Sequence, residues 1–453
     1  MYEQNEIHIS DMTSRPIPGL IINLATSTIL SMIVIAAYNT ADTYFVAKLG
    51  TSATGAVGVV FSVMALLQAI GFTFGTGAAS IVSRRLGSND IKTAERIAST
   101  SFFLALLSGM IISIISLLYL DKFMLQIGAT KTILPYAKDY AKYILLGAPI
   151  ICTSFVMNNI LRAEGKATLA MLGLAAGAVI NIVLDPIFIF TLKLGVAGAA
   201  IATLISQFIS FLLLMSFFLN RKSSMKIRLK DLSKKPQEYL DILLLGAPSL
   251  LRQGLASFSA IALNVAAAVY GDAAIAAMSI VSRIFMFALS IIVGLGHGFM
   301  PVVGFNYGAR NYGRVKEAFL FTVKVGLIFS FVMSILGCVF SPNIVAFFRK
   351  EDIEVIEIGT LAMRMQFFVL ILQPLFVSTN MLLQSTGYAI RATFLASNRQ
   401  GLYFLPLIFT LPRFLGLKGL ALTQPISDVL AFITAIPFLY FFWKTLEEHK
   451  TTY

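Results

Sequence analysis

The chain has 453 residues, of which 57% are hydrophobic and 13% charged, and its mean hydropathy is +0.83. A soluble domain carries about 25% charged residues, so this composition excludes a soluble globular protein and indicates a polytopic membrane protein. The net charge of +13 would suit nucleic acid, but Lys and Arg fall in short loops between apolar runs, and no nucleic-acid partner is expected.

Glu3, Glu6 and Asp11 are wrong for the basic start of a signal peptide, so residues 1–15 read as a cytoplasmic N-terminal segment. Apolar runs of about 20 residues then predict twelve transmembrane helices. Their limits are 17–40, 53–81, 97–119, 138–160, 167–190, 196–219, 239–266, 273–303, 317–341, 357–382, 389–411 and 418–443. Positive charge concentrates after span 2 (Arg84, Arg85, Lys92, Arg96), span 4 (Arg162, Lys166), span 6 (Arg221 to Lys235) and span 8 (Arg310, Arg314, Lys316). The alternate loops are poorer in it, which puts both termini in the cytoplasm. Cys152 and Cys338 lie in or beside apolar spans and suggest no disulfide framework.

The chain repeats itself. Gly50, Gly75, Gly77 and Gly87 recur 221 positions on as Gly271, Gly296, Gly298 and Gly308. Asn158 with Asn380, Gly165 with Gly387, Gly195 with Gly416 and Gly198 with Gly419 continue the pattern at similar shifts. Each repeat holds six spans, an even number, so both enter from the same side as parallel repeats. The division is an N-terminal lobe at 16–219, a basic cytoplasmic linker at 220–237, a C-terminal lobe at 238–443 and a cytoplasmic tail at 444–453. The linker is long enough to let the halves rock.

Within span 5, Asn181 and Asp185 are four apart and share one helical face. Pro186 beside them has no N–H to give. A carboxylate at such depth costs at least roughly 2.5 kcal/mol on insertion scales, which makes it a functional candidate; a purely structural buried acid is the alternative. At the repeat shift Asp42 faces Leu263 and Thr203 faces Gln424; near Pro186 the best local match is Pro406, which sets Asp185 opposite Leu405 and Asn181 opposite Gly401. The acidic chemistry therefore belongs to the first lobe. Asp185 and Thr203 both lie roughly 10–12 Å from the turn between spans 5 and 6, at 1.5 Å per residue, and Asp42 lies at a similar depth. Asp42, Asn181, Asp185 and Thr203 together present oxygen ligands of the kind hard cations take. Two close carboxylates would also share a proton, so the set suits sodium or a proton.

Twelve spans in two parallel halves, with Asn39-Thr-Ala-Asp42-Thr in helix 1, Asn181-Ile-Val-Leu-Asp185-Pro186 in helix 5 and the small-residue stretch Gly71–Gly87, resemble the multidrug and toxic compound extrusion (MATE) family over nearly the whole chain. The resemblance implies an all-α protein of two six-helix lobes forming a V in the cytoplasmic membrane. It implies export of amphipathic, often cationic compounds, driven by entry of sodium or protons. The family's first-lobe cation site falls on Asp42, Asn181, Asp185 and Thr203, the metal ligands if the ion is sodium. Asn158 matches a polar position lining that lobe's cavity, and Asn39 is a further cavity candidate.

One departure concerns helices 7 and 10, where some relatives carry acids. Around Ser249–Leu263 and Phe367–Leu383 this chain has none, and Arg252, Gln253, Arg283, Arg364 and Gln366 stand nearby, with Asp428 inside helix 12. The arginines either snorkel or pair with Asp428 and helix-end carbonyls, or they form an anion-recognising wall, with Arg252 and Arg283 as substrate candidates. His297 lies between glycines and reads as packed rather than as a proton relay. The 17 Met and 37 Phe suit either a pliable cavity or lipid-facing packing, chiefly the latter. No Walker motif, His-Glu-x-x-His or nucleophile elbow occurs, so no enzyme and no cofactor is expected beyond a coupling ion. The expected partners are a small amphipathic substrate and membrane lipid, with the chain acting as a monomer. A flippase for lipid-linked saccharides and an ion channel remain as alternative functions.

Overall fold

A computed structural model describes residues 11–348 and 352–451. Among them the chain is helical nearly throughout, and no strand occurs. The first six spans are α1 (Ile17–Ala47), α2 (Thr51–Gly87), α3 (Ile91–Leu118), α4 (Leu134–Leu146 and Ala148–Ala163), α5 (Ala167–Pro186) and α6 (Gly195–Leu219). The second six are α7 (Pro236–Ala268), α8 (Asp272–Gly308), α9 (Tyr312–Val339), α10 (Ile353–Phe368 and Gln373–Thr386), α11 (from Ala389) and α12, the last ending at Thr451. The break in α4 bends the chain by 50°. Its cause is Pro149 just past Gly147, where a missing N–H and the ring interrupt the helical ladder. Pro374 does the same after the 3₁₀ turn Val369–Leu372 in α10. α11 and α12 run together in one helical stretch, separated by Gly416 at φ 57° and ψ −138°. With the bent α4 taken as one span and the chain divided at Gly416, the described residues hold twelve apolar helices long enough to cross a membrane.

Several helices outrun the limits that hydropathy sets. α2 continues to Gly87 through Arg84 and Arg85, because the last turns can carry charge outside the hydrocarbon layer. α3 opens on Asp90, whose carboxylate accepts from the Thr93 amide at 3.1 Å and satisfies one of the free donors of the first turn.

By contacts the chain forms two units. One is built on Thr26–Gly246, the other on Thr13–Ala25 with Ala247 onward. Thus the start of α1 is grouped with the second unit, and the start of α7 with the first. Glycines explain both associations. A Cβ on Gly77 of α2 would strike the carbonyl of Ile242 in α7, and one on Gly246 would strike that of Thr73. In the other unit a Cβ on Gly298 of α8 would strike the backbone of Ala25 in α1. Gly77 and Gly298 are a repeat pair, so the repeated glycines mark places where helix backbones touch. Another pair, Gly195 and Gly416, share φ 57°, a left-handed conformation that glycine adopts without strain and that stands where α6 and α12 begin.

The linker after α6 is fastened to the first unit along its length. Buried Glu164 accepts from the Ser223 hydroxyl at 2.5 Å and the Ser224 amide at 2.7 Å, and pairs with Lys166 at 3.1 Å. Ser99 donates to the Lys226 carbonyl and accepts from the Arg228 amide, both at 3.1 Å. Thr100 accepts from the Ser233 amide, and Arg96 forks onto Glu238 at 2.8 and 2.5 Å. Charged, two-pronged hydrogen bonds of this kind hold geometry as well as position. The linker therefore lies along the ends of α3 and α4 instead of hanging as slack chain.

Gly77→Val should lower stability by about 1–3 kcal/mol, the usual cost of overpacking. Gly254→Ala, in α7 with no atom within 4 Å of the new Cβ, should be neutral or stabilising. Thermal unfolding in detergent compares the two, and equal melting temperatures would contradict the close α2–α7 contact.

Candidate functional site

Asp42 near the end of α1, Asn181 and Asp185 in α5 and Thr203 in α6 are all buried in the first unit. Asn181 Nδ2 donates to Asp185 Oδ1 and to Thr203 Oγ1, each at 3.2 Å. One amide therefore ties the α5 acid to α6. Asp42 Oδ2 accepts from the Tyr140 hydroxyl of α4 at 3.2 Å. Tyr140, itself fully buried, also interacts with Thr203. Asp42 and Asp185 are close enough for their charges to interact, and Tyr38 of α1 lies near both. The structure thus brings all four sequence-named residues into one cluster, held by α1, α4, α5 and α6.

Local sequence shapes this cluster. Pro186 follows Asp185 directly and cannot bond to the carbonyl of Ile182 one turn back. The helix then widens into a π-turn over Ile187–Thr191, a distortion common at functional sites. Small residues let α6 close in: a Cβ on Gly177 would meet Ser210, and one on Gly173 would meet Leu214. Phe188 and Ile189 in turn receive Gly198 of α6.

What the cluster leaves unsatisfied matters most. Asp42 Oδ1, Asn181 Oδ1 and Asp185 Oδ2 are buried with no hydrogen-bond partner. A buried polar atom in this condition costs about 1–3 kcal/mol, more when charged. Two carboxylate oxygens and an amide oxygen form the donor set a hard cation takes, and a proton on either acid would answer the same need.

The remaining candidates fall elsewhere. Asn158 is buried and spends its amide on the Ala170 carbonyl at 2.7 Å, a helix-to-helix tie that Asn380 repeats with Ala392 at 2.6 Å. Arg252 donates to Ser249 Oγ within α7 at 3.3 Å, and Arg283 is exposed on α8. His297 is buried in α8. The side chain of Asn39 lies outside the described residues.

The second unit treats its acid differently. Asp428 of α12 is fully engaged: Arg399 Nε donates to Oδ1 at 2.7 Å, Gln424 to Oδ1 at 2.8 Å and Gln366 to Oδ2 at 2.9 Å. Arg399 sits in a π-turn, Asn398–Tyr403, and its guanidinium also covers the Phe285 ring at 5.6 Å from the centroid. None of Arg252, Arg283 and Arg364 pairs with Asp428 among the described residues. Sequence reading missed Tyr38, Tyr140 and Arg399. A tyrosine in an apolar run looks like core, and only the placement of α4 against α1 and α6 gives the Tyr140 hydroxyl its role.

Twelve helices in two repeated six-helix halves, with a buried acidic cluster in the first, define a multi-pass membrane protein of the transporter type. The family model named MatE matches residues 27–187 and again 248–409, once per half. The chain belongs to the MATE family. Its relatives include the multidrug export protein MepA of Staphylococcus aureus, 31% identical over 417 residues that cover 91% of this chain and 90% of that protein. MepA of Staphylococcus haemolyticus is 30% identical over 92% of this chain and 91% of its own length. Among solved structures, a MATE transporter in complex with MaL6 has a TM-score of 0.91 at 29% identity, covering 97% of this chain and 99% of that one. A transporter of the MOP superfamily from Pyrococcus furiosus, described as having a binding pocket of reversed polarity, has a TM-score of 0.90 at 30% identity, covering 97% and 98%.

Tyr140→Phe should cost about 1.5–3 kcal/mol, the range for a hydrogen bond to a charged group. A double-mutant cycle with Asp42→Ala, read by thermal unfolding, should show coupling of about 1 kcal/mol between the two positions. Strictly additive losses would mean that the hydroxyl does not support Asp42.

Proposed function

We propose that this chain is a cation-coupled antiporter that exports amphipathic small molecules, among them drugs, across the cytoplasmic membrane, with both termini and the linker on the cytoplasmic side. It acts as a transporter and not as an enzyme. The observation that carries the coupling is the trio of buried, unpartnered oxygens on Asp42, Asn181 and Asp185. The export reading draws on the MepA relatives, which are multidrug export proteins.

A sodium ion or proton arriving at the cluster joins Asp42 of α1 to Asp185 of α5, because each acid has one oxygen already fixed and one free. Thr203 and Asn181 orient the α5 acid, and Tyr140 orients the α1 acid. Relief of repulsion between the two carboxylates draws α1 and α5 together. The π-turn after Pro186 gives α5 a place to bend. A first unit narrowed in this way holds substrate less well, so ion entry drives substrate release. In the second unit Asp428 already has Arg399 as its counter-charge, which leaves one exchangeable ion site per chain. The flippase alternative has less behind it: Arg252 is engaged within its own helix and Arg283 lies exposed.

Asp185→Asn should abolish gradient-driven efflux while insertion and melting behaviour persist, since the amide keeps shape and removes the charge. Transport into inverted vesicles under separate sodium and proton gradients tests this and identifies the ion; unaltered efflux would refute the role of Asp185. Ion and substrate are also linked reciprocally, so sodium or acid should weaken drug binding and drug should weaken ion binding by the same factor. Equilibrium drug binding in detergent that stays flat across sodium concentration and pH would overturn the coupling.

A further inference from the structure

The second unit carries a groove of about 910 Å³ formed by the last turn of α9, the first segment of α10 and the first turns of α12. Its wall is apolar, with Val339, Phe368, Leu422, Ile426 and Val429 in the lining. Arg364 is the one charged side chain in the lining. Its Nε donates to the Cys338 carbonyl at 3.2 Å and to Ser341 Oγ at 3.1 Å. Those two bonds hold the guanidinium in place and use one of its nitrogens. Among the described residues no acid pairs with it, and its two terminal nitrogens carry no hydrogen bond.

Depth tells what can meet that charge. α9 has 28 residues, roughly 42 Å at 1.5 Å each, which exceeds a hydrocarbon layer of about 30 Å. Cys338 is in its last turn and Ser341 opens the short helix that follows, so Arg364 is tied where α9 leaves the hydrocarbon layer, at headgroup level. From there the apolar wall runs inward: Leu422 to Leu430 along α12 covers roughly 12 Å. A fixed cation at headgroup level above an apolar slot has the two-part chemistry of an anionic phospholipid, and a guanidinium takes phosphate with two parallel bonds.

The geometry points to a phospholipid site in this groove, with the phosphate on Arg364 beside Ser341 and an acyl chain along Phe368, Leu422 and Ile426. The occupant is a lipid of net negative charge from the surrounding bilayer. It sits apart from the Asp42–Asp185 cluster, on helices of the other unit, and is independent of which ion drives transport.

The test uses the purified full chain, stripped of lipid in detergent, with phosphatidylglycerol or phosphatidylcholine added back. Native mass spectrometry reads retained lipid, and alkylation of Cys338, which lines the groove, reads its coverage. Phosphatidylglycerol should be retained over phosphatidylcholine and should slow Cys338 alkylation. Arg364→Gln should lower phosphatidylglycerol retention roughly fivefold and erase the preference. Ile426→Trp, which fills the slot and leaves Arg364 in place, should lower retention of both lipids. Equal retention of the two lipids by the unmodified chain, or a preference that survives Arg364→Gln, would overturn the site. If neither variant folds, the alkylation rates of the unmodified chain decide alone. Protection of Cys338 that rises with protein concentration in the absence of lipid would instead assign the groove to a second copy of the chain.

Discussion

Three oxygen atoms with nothing to bond to set the terms for the first unit. Asp42 Oδ1, Asn181 Oδ1 and Asp185 Oδ2 are enclosed by four helices inside a chain whose surroundings offer no compensation. Each enclosed acceptor carries a desolvation cost of about 1–3 kcal/mol, and in the two acids the negative charge adds to it. On the antiport reading a positive guest offsets that cost, and a structure that gains from a guest differs with and without it. This is the condition a coupled transporter must satisfy. The partners that are present matter equally. Tyr140 and Asn181 each fix one oxygen of an acid and leave its other oxygen without a hydrogen bond.

Helix backbones must come close for such a cluster to exist, and glycine supplies the clearance. Gly173 and Gly177 admit α6 against α5; Gly77 and Gly246 admit α7 against α2. In a membrane there is little hydrophobic gain from pressing helices together, so packing and polar ties do the holding. The Asn158–Ala170 and Asn380–Ala392 bonds show the same solution in both halves. Together these contacts form a frame stiff enough to keep unsatisfied groups buried.

Much of this was legible in the sequence, because the glycines recur at a fixed spacing and intramembrane acids are rare enough to be read singly. The repeated glycines gave the two halves their register, and Asp42, Asn181, Asp185 and Thr203 could be placed at one depth by counting residues from a turn. Tyr38, Tyr140 and Arg399 could not. Their meaning comes from which neighbouring helix faces them, and helix order in space is not written in hydropathy. Asn158 shows the converse: a polar residue inside a span invites a cavity role, yet its amide is consumed by a carbonyl on α5. The linker's anchorage is hidden for a related reason. Its length allows the halves to rock, while Ser99, Thr100, Arg96 and Glu164, far away in sequence, hold it to the first unit.

The two halves share a frame and differ in what they bury. In the second unit, α10, α11 and α12 stand where α4, α5 and α6 stand in the first, and each trio encloses an acid. Around Asp428 every lone pair in play is answered, chiefly by Arg399, a cation attached to its own helix and unable to leave. Around Asp42 and Asp185 no lysine or arginine forms an ion pair among the described residues, and on the antiport reading the matching charge comes from outside. A tethered cation locks its helices in one arrangement, whereas a diffusing one lets them choose between two. On the antiport reading, duplication supplied a symmetric scaffold, and a guanidinium in one half with none in the other gave it an unequal response to ions. On that reading, the half that lacks its own counter-charge is the half that senses a gradient.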